Sequence, residues 1–193
     1  MRALVILEDP TLDQYVVKPI IERIFADLGR PARVDVLNDP HISGASQALN
    51  GTLIAEIVLD NPMIDLFVLV VDRDCDRQSH EAKAAQRQAE HPTRLLAALA
   101  WQEVEVWALA PHRDELGTSW RAVRDECDPK EVYFDPFVLR KSWLDTVGKG
   151  RKRAMRELGG SWRGVLTVCP EIEALKQRIA RWLLERTNDA STG

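Results

Sequence analysis

The first half of the chain contains short, uninterrupted apolar runs. Residues 3–7 and 66–71 form the two clearest runs, and a weaker one covers residues 32–37. Runs of this length that lack polar alternation are typical of strands buried on both faces of a parallel sheet. The pattern predicts three parallel strands, of which the one at residues 66–71 is central.

Between these runs the apolar residues change to helical spacing. They repeat every three to four residues between residues 11 and 28, which predicts a helix ending at Gly29. Residues 48–59 and 80–90 predict two further helices, and Gly51 weakens the first of them. Strands that alternate with helices predict an α/β fold, with a mostly parallel sheet flanked by helices.

The second half of the chain is mainly helical in pattern. Residues 95–100 suit either a fourth strand or the start of a helix, because alanine favours a helix while the short length favours a strand. An amphipathic segment at residues 171–184 predicts a C-terminal helix. We expect residues 1–112 to form the α/β core and residues 113–193 to form a helical C-terminal extension packed on it.

Composition agrees with a folded protein of one domain. The chain has 193 residues, of which 45% are hydrophobic and 29% charged. No apolar run approaches the roughly 18 residues that a membrane helix needs, so we expect no membrane association. The three cysteines, Cys75, Cys127 and Cys169, form no CxxC pair. That spacing argues against structural zinc and favours a reducing compartment, so we predict a cytoplasmic protein.

Acidic residues gather where the predicted strands end. Glu8 and Asp9 follow the first strand, and Asp72, Asp74 and Asp76 follow the central one. Parallel strands end at one edge of the sheet, where ligands bind in such folds. Carboxylates there suit Mg²⁺ or Mn²⁺, so we predict a metal site, although Asp9 and Asp76 could simply cap turns.

The net charge of −4 gives no general attraction to nucleic acid, but basic residues cluster locally. Residues 140–163 contain eight lysines and arginines against two acids. This segment is either a basic binding face or a solvated helix surface.

Three motifs together resemble the Toprim pattern. The first is Ile-Leu-Glu-Asp, which contains Glu8, and the second is Val-Val-Asp-Arg-Asp, which contains Asp72 and Asp74. The third, Glu-Val-Glu-Val-Trp at residues 103–107, is similar to a signature of small stand-alone Toprim-like proteins related to OLD- and RloB-type defence nucleases. The chain has Asp9 where Toprim proteins usually have glycine.

The resemblance implies a fold and a chemistry. The fold is a Toprim-like sheet with residues 95–100 as its fourth strand. The chemistry is Mg²⁺- or Mn²⁺-dependent phosphodiester hydrolysis of DNA or RNA, with a role in antiviral defence and a possible protein partner. Glu103 or Glu105 would add a metal ligand or act as a base.

Related nucleases also use a lysine outside the core, and Lys149 matches it best. Lys149 would contact phosphate, together with Arg151, Lys152 and Arg153. His112, shortly after the glutamate pair, is a more distant candidate.

Three alternatives remain open. Glu8, Asp9 and Asp72 also fit a receiver-like phosphoacceptor domain, and Asp-x-Asp fits a haloacid-dehalogenase-like phosphatase. The third alternative is a non-catalytic module that binds a nucleotide or a partner protein within a defence complex.

Overall fold

The computed structural model describes residues 1–75 and 77–191. Its centre is a four-stranded sheet formed by β1 (Arg2–Leu7), β2 (Arg33–Val36), β3 (Leu66–Asp72) and β4 (Leu95–Ala100). All neighbouring strands are parallel, and their order is β2-β1-β3-β4. The α/β class and the parallel sheet are confirmed, and residues 95–100 form a strand.

Helices account for most of the remaining described chain. The α-helices are α1 (Gln14–Asp27), α2 (Ala45–Ala48), α3 (Gly51–Asp60), α4 (Arg77–Glu90), α5 (Val104–Leu109), α6 (Trp120–Asp125), α7 (Asp135–Arg140), α8 (Arg151–Ala154), α9 (Leu158–Val168) and α10 (Pro170–Ser191). Short 3₁₀ segments cover Ala110–Glu115 and Met155–Glu157, and a π-helical segment covers Lys130–Phe134. In the described residues, no helix combines the length and apolar character needed to cross a bilayer.

The apolar runs form strands because both faces of the sheet are covered. Successive side chains of β1 alternate between two cores: Val5 and Leu7 join one, while Leu4 and Ile6 join the other. The first core is closed by α1 and the C-terminal helices, and the second by α2, α3 and α4. This two-sided burial explains the lack of polar alternation in the sequence.

The C-terminal helices pack directly on the sheet. In α10, the Trp182 indole N–H donates to the Thr93 carbonyl at 2.8 Å, and the Arg178 guanidinium donates to the Ala97 carbonyl at 2.7 Å. The helical C-terminal extension is confirmed. The boundary at residue 112 stays a prediction, since one apolar core contains residues from both sides of it.

Two helix boundaries differ from those predicted. Helix α1 begins at Gln14 rather than near residue 11, because Asp9 Oδ1 accepts hydrogen bonds from the Thr11 and Leu12 N–H groups and holds a turn there. The helix predicted at residues 48–59 is α3, which begins at Gly51, and Ala48 ends the separate short helix α2. The Asn50 side chain caps α3, so Gly51 begins that helix instead of weakening its interior.

A disulfide joins Cys75 to Cys127, whose Cα atoms are 5.6 Å apart, and Cys169 is a buried free thiol. The bridge links the loop after β3 to the loop after α6. Such bridges are rare in reducing compartments, so the cysteines no longer support a cytoplasmic location.

Candidate functional site

A cavity of about 400 Å³ opens at the carboxyl edge of the sheet. We call it the acidic cavity. Six carboxylates and two cationic side chains line it: Glu8, Asp9, Asp13, Asp72, Glu103, Glu105, Lys130 and Arg151.

Glu8 and Asp72 form the centre of the acidic cavity. Glu8 directly follows β1 and Asp72 ends β3, and these strands are neighbours in the sheet with Leu7 opposite Val70. The Asp72 backbone N–H donates to Glu8 Oε1 at 2.6 Å. The convergence that the sequence predicts for these two residues is therefore present.

Helix α5 brings two more carboxylates to the cavity. The Val104 N–H at its start donates to Asp72 Oδ1 at 2.9 Å, which ties the helix to the end of β3. Glu103 immediately precedes the helix, and its Oε2 accepts a hydrogen bond from the Lys130 backbone N–H at 2.8 Å. Glu105 lies inside the helix and is buried.

Asp13 is a cavity residue that the sequence analysis missed. It lies just before α1 and is buried beside the other carboxylates. A signal for it existed, because Asp13 stands four residues after Asp9, in the turn that follows the first strand. Identifying it also required knowing how the turn at residues 9–13 is oriented.

Burial and mutual repulsion raise the pKa values of these acids. Burial, reinforced by Glu105 and Asp9, raises the pKa of Asp13 to about 8. Burial raises the pKa of Glu103 to about 7, although the Lys130 N–H lowers it. The same cause, with repulsion from Glu8, holds the pKa of Asp72 well above its usual range.

The pKa of Glu8 is also raised, by burial first and by Asp74 to a lesser degree, while the hydrogen bond from Asp72 lowers it. Burial is the main cause of all four shifts, and the six carboxylates that line the cavity outnumber its two cationic side chains. A bound divalent cation would supply the missing positive charge.

The cationic residue most involved in the acidic cavity is Arg151, at the start of α8. Its guanidinium forms an ion pair with Glu105, and both side chains are buried. We expected Arg151 to contact phosphate, but in this structure its charge is engaged inside the protein. Because Glu105 is paired with Arg151, its carboxylate is not free to act as a metal ligand or a base.

The two aspartates of the Asp-x-Asp motif point to different places. Asp72 lines the acidic cavity, whereas Asp74 is exposed, has a φ of +49°, and lines a separate cavity with Arg73 and Trp101. Its carboxylate lies 3.8 Å from His80 Nδ1. The positive φ of Asp74 turns the backbone away from the acidic cavity after β3 ends. Asp76 lies outside the described residues.

Lys149 is exposed and does not line the acidic cavity. Its turn has positive φ at Gly148, Lys149 and Gly150. A Cβ added to Gly148 would stand 2.4 Å from the Tyr15 ring, and one added to Gly150 would stand 2.7 Å from Val138. The glycines are thus explained by close packing rather than by a mobile phosphate-binding loop.

Lys152 and Arg153 are exposed on α8. Lys152 borders a groove of about 380 Å³ that also contains Tyr15, Lys18 and Arg156. We call it the basic groove, although Glu22 also lines it. It shares no lining residue with the acidic cavity, but Arg151 lines the cavity and the next residue, Lys152, lines the groove.

The donors of the acidic cavity fit a hard cation. The acidic side chains that line it offer carboxylate oxygens, and Mg²⁺ and Mn²⁺ prefer oxygen ligands. In the part of the chain that the structure describes, no three cavity carboxylates bring oxygen atoms within 4.8 Å of one another. Mg²⁺ can be held by one or two carboxylates while keeping several waters, so Glu8 and Asp72 would suffice.

Comparison with known proteins gives no family for this chain. No family model, curated protein or solved structure matches it.

Proposed function

We propose that the chain is a Mg²⁺- or Mn²⁺-dependent phosphodiesterase acting on nucleic acid. One observation carries the proposal: Glu8 and Asp72, hydrogen-bonded at the ends of adjacent parallel strands, lie in a cavity whose carboxylates have raised pKa values. Such a cavity gains most from a divalent cation. The Toprim resemblance supports the same chemistry and is part of the proposal.

In this proposal Glu8 and Asp72 hold the cation. A divalent cation held there would polarise a phosphoryl oxygen and make a water molecule a better nucleophile. Glu103, just before α5, is a further carboxylate of the cavity, and its hydrogen bond from the Lys130 N–H keeps it there. Glu105 is buried in an ion pair with Arg151, so in this proposal it orders the cavity wall and does not ligate the cation.

The basic groove would bind the nucleic acid backbone. Lys18, Lys152 and Arg156 border it, and Lys152 follows the cavity residue Arg151 in the chain. A strand lying along this groove would bring a phosphate to the cavity, with the cations contacting its neighbours. Lys149 and Arg153, exposed nearby, would extend the basic surface. Binding should therefore weaken steeply as salt rises.

The test is cleavage of end-labelled single- and double-stranded DNA and RNA by the purified protein with Mg²⁺, with Mn²⁺, or with EDTA. We expect metal-dependent cutting that falls by at least about 100-fold in Asp72→Asn and in Glu8→Gln, since each removes a metal ligand. The matched control is Asp145→Asn, which changes an exposed acid away from the cavity and should cut like the wild type. Asp74→Asn decides whether Asp74 takes part.

Equal cutting by Asp72→Asn and the wild type would contradict the proposal. A complete lack of cutting, combined with Mg²⁺-dependent stabilisation that Asp72→Asn loses, would favour the second candidate function. That candidate is a non-catalytic module that binds a nucleotide or a partner protein through its metal. It is favoured by the Arg151–Glu105 ion pair, which leaves few free cations to stabilise a reacting phosphate.

Three further parts of the proposal rest on the resemblance or on composition alone. They are the cytoplasmic location, which the Cys75–Cys127 disulfide argues against, the role in antiviral defence, and a protein partner. The phosphatase-like alternative loses support, because Asp74 lies outside the acidic cavity that Asp72 lines. The receiver-like alternative keeps its residues, since Glu8, Asp9 and Asp72 all line the cavity.

A further inference from the structure

A second group of ionisable residues lies away from the acidic cavity, around His112. The His112 side chain is fully buried, and its ring packs against Phe137 and Trp143 with centroid distances of 5.0 and 5.7 Å. Its Nε2 lies 2.9 Å from the Ala154 carbonyl oxygen. A carbonyl oxygen can only accept a hydrogen bond, so Nε2 carries the proton.

With its proton on Nε2, a neutral His112 presents the lone pair of Nδ1 to the other side of the ring. That atom lies 3.2 Å from Glu115 Oε1 and 3.7 Å from Glu157 Oε2. All three atoms are within 4.8 Å of one another. Three acceptors that converge in this way repel one another unless a proton or a metal cation lies between them.

We propose that His112, Glu115 and Glu157 bind a divalent transition-metal ion such as Zn²⁺. One imidazole nitrogen and two carboxylate oxygens are ligands that Zn²⁺ commonly takes. A histidine that ligates a metal usually donates its other N–H to a carbonyl or carboxylate, as His112 does to Ala154. The Glu115 and Glu157 side chains are 42% and 59% exposed, so water can complete the coordination.

Other contacts orient the second ligand. The ammonium of Lys141 pairs with Glu115 Oε2, which leaves Oε1 directed at His112. Arg140 donates to the Glu115 backbone carbonyl at 2.7 Å. An ion held here would join two segments, the 3₁₀ segment Ala110–Glu115 and the 3₁₀ segment Met155–Glu157. The two cations at the end of α7 would hold Glu115 in place.

This site differs from the acidic cavity in ligand chemistry. The cavity offers carboxylate oxygens and suits Mg²⁺, whereas the nitrogen of His112 favours a transition metal. The proposal is therefore independent of the proposed function. The difference also gives a way to measure the two sites separately, because excess Mg²⁺ occupies an oxygen-only site and competes weakly for the histidine site.

The experiment titrates the full-length, EDTA-treated protein with Co²⁺ and with Zn²⁺ in excess Mg²⁺. Visible absorption reports Co²⁺ coordination and thermal unfolding reports Zn²⁺ binding. We expect one transition-metal equivalent to bind to the wild type, and Glu157→Gln to lose at least about tenfold in affinity. Glu157 is exposed, so this variant should fold normally, which its melting temperature in EDTA checks. Glu185→Gln, an exposed change on α10, is the matched control and should bind like the wild type.

Three results would overturn the proposal. One is equal affinity of the wild type and Glu157→Gln for Co²⁺. Another is the absence of Co²⁺ absorption in the wild type at millimolar metal. The third is an NMR spectrum in saturating Zn²⁺ that shows protons on both nitrogens of His112, because the histidine would then be an imidazolium ion paired with its glutamates.

Discussion

At the scale of single residues, the carboxylates of the acidic cavity accept too few hydrogen bonds to offset the effect of burial on their pKa values. Each of Glu8, Asp72 and Glu103 receives one backbone N–H, at Glu8 Oε1, Asp72 Oδ1 and Glu103 Oε2. Those bonds lower the pKa values of Glu8 and Glu103, but burial exceeds their effect. Asp13 is the clearest case, since burial and its acidic neighbours raise its pKa to about 8.

Asp13 should make the metal-free protein less stable as the pH rises. Its pKa is raised from 3.8 to about 8 on folding, so between these values the folded state holds a proton that the unfolded state has lost. Stability must then fall with rising pH across this window. Between pH 6 and pH 8 the ionisation of Asp13 should lower the unfolding free energy of the wild type by about 2 kcal/mol. Asp13→Asn should lack this decrease. Urea unfolding in EDTA at the two pH values measures it.

The control for this experiment is Asp145→Asn, which should keep the pH slope of the wild type. An Asp13→Asn slope equal to that of the wild type would show that Asp13 ionises normally. Adding Mg²⁺ to the wild type should flatten the slope as well, because the cation favours the ionised carboxylates.

At the scale of elements, the turn between α7 and α8 shows how packing explains a motif that first suggested binding. Gly148, Lys149 and Gly150 all have positive φ, and both glycines lie in close contact with neighbouring side chains. The turn also positions Arg151, whose N–H donates to the Gly148 carbonyl at 3.1 Å. Its geometry therefore controls the buried ion pair with Glu105.

Gly148→Ala should destabilise the protein by about 1–3 kcal/mol. The added methyl would overlap the Tyr15 ring, and alanine is disfavoured at a φ of +68°. Gly159→Ala is the matched control, because Gly159 lies within α9 with no atom near its Cβ position. That change should stabilise the protein by about 0.5–1 kcal/mol. Chemical denaturation of both variants measures the difference, and equal effects would contradict this account of the turn.

At the scale of the whole molecule, segments far apart in the chain are joined by a shared apolar core and by a disulfide. The C-terminal helices complete the core on one face of the sheet, so the α/β part and the helical part share their apolar interior. The Cys75–Cys127 disulfide joins loops 52 residues apart and lies close to the Asp-x-Asp motif. It links the end of β3 to the segment before Lys130, which contacts Glu103.

Reduction of the disulfide should lower the free energy of unfolding by about 2–4 kcal/mol, since the bridge restricts the unfolded chain. Cys127→Ser should have a similar effect without reductant. Unfolding in urea with and without dithiothreitol measures the change. A thiol count on the denatured, unreduced protein checks the pairing: one thiol, from Cys169, is expected, and three would contradict it.

Much of the fold could be predicted from local pattern. Strands buried on both faces need continuous apolar runs, and residues 3–7 and 66–71 supply them. The meeting of Glu8 and Asp72 also followed, because parallel strands end at one edge of a sheet and each residue stands at such an end. The strand at residues 95–100 could not be decided from its own residues, since short apolar segments with alanine suit both structures.

The sequence by itself determined the α/β class, the apolar strands and the pair of acids at their ends, because these depend on near neighbours and on a fixed periodicity. Only the tertiary structure decided that Asp13 joins that pair, that Asp74 turns away, and that Arg151 points inward to Glu105. These placements depend on turn conformation and on packing between segments far apart in the chain. Neither turn conformation nor packing between distant segments produces a periodic pattern in the sequence.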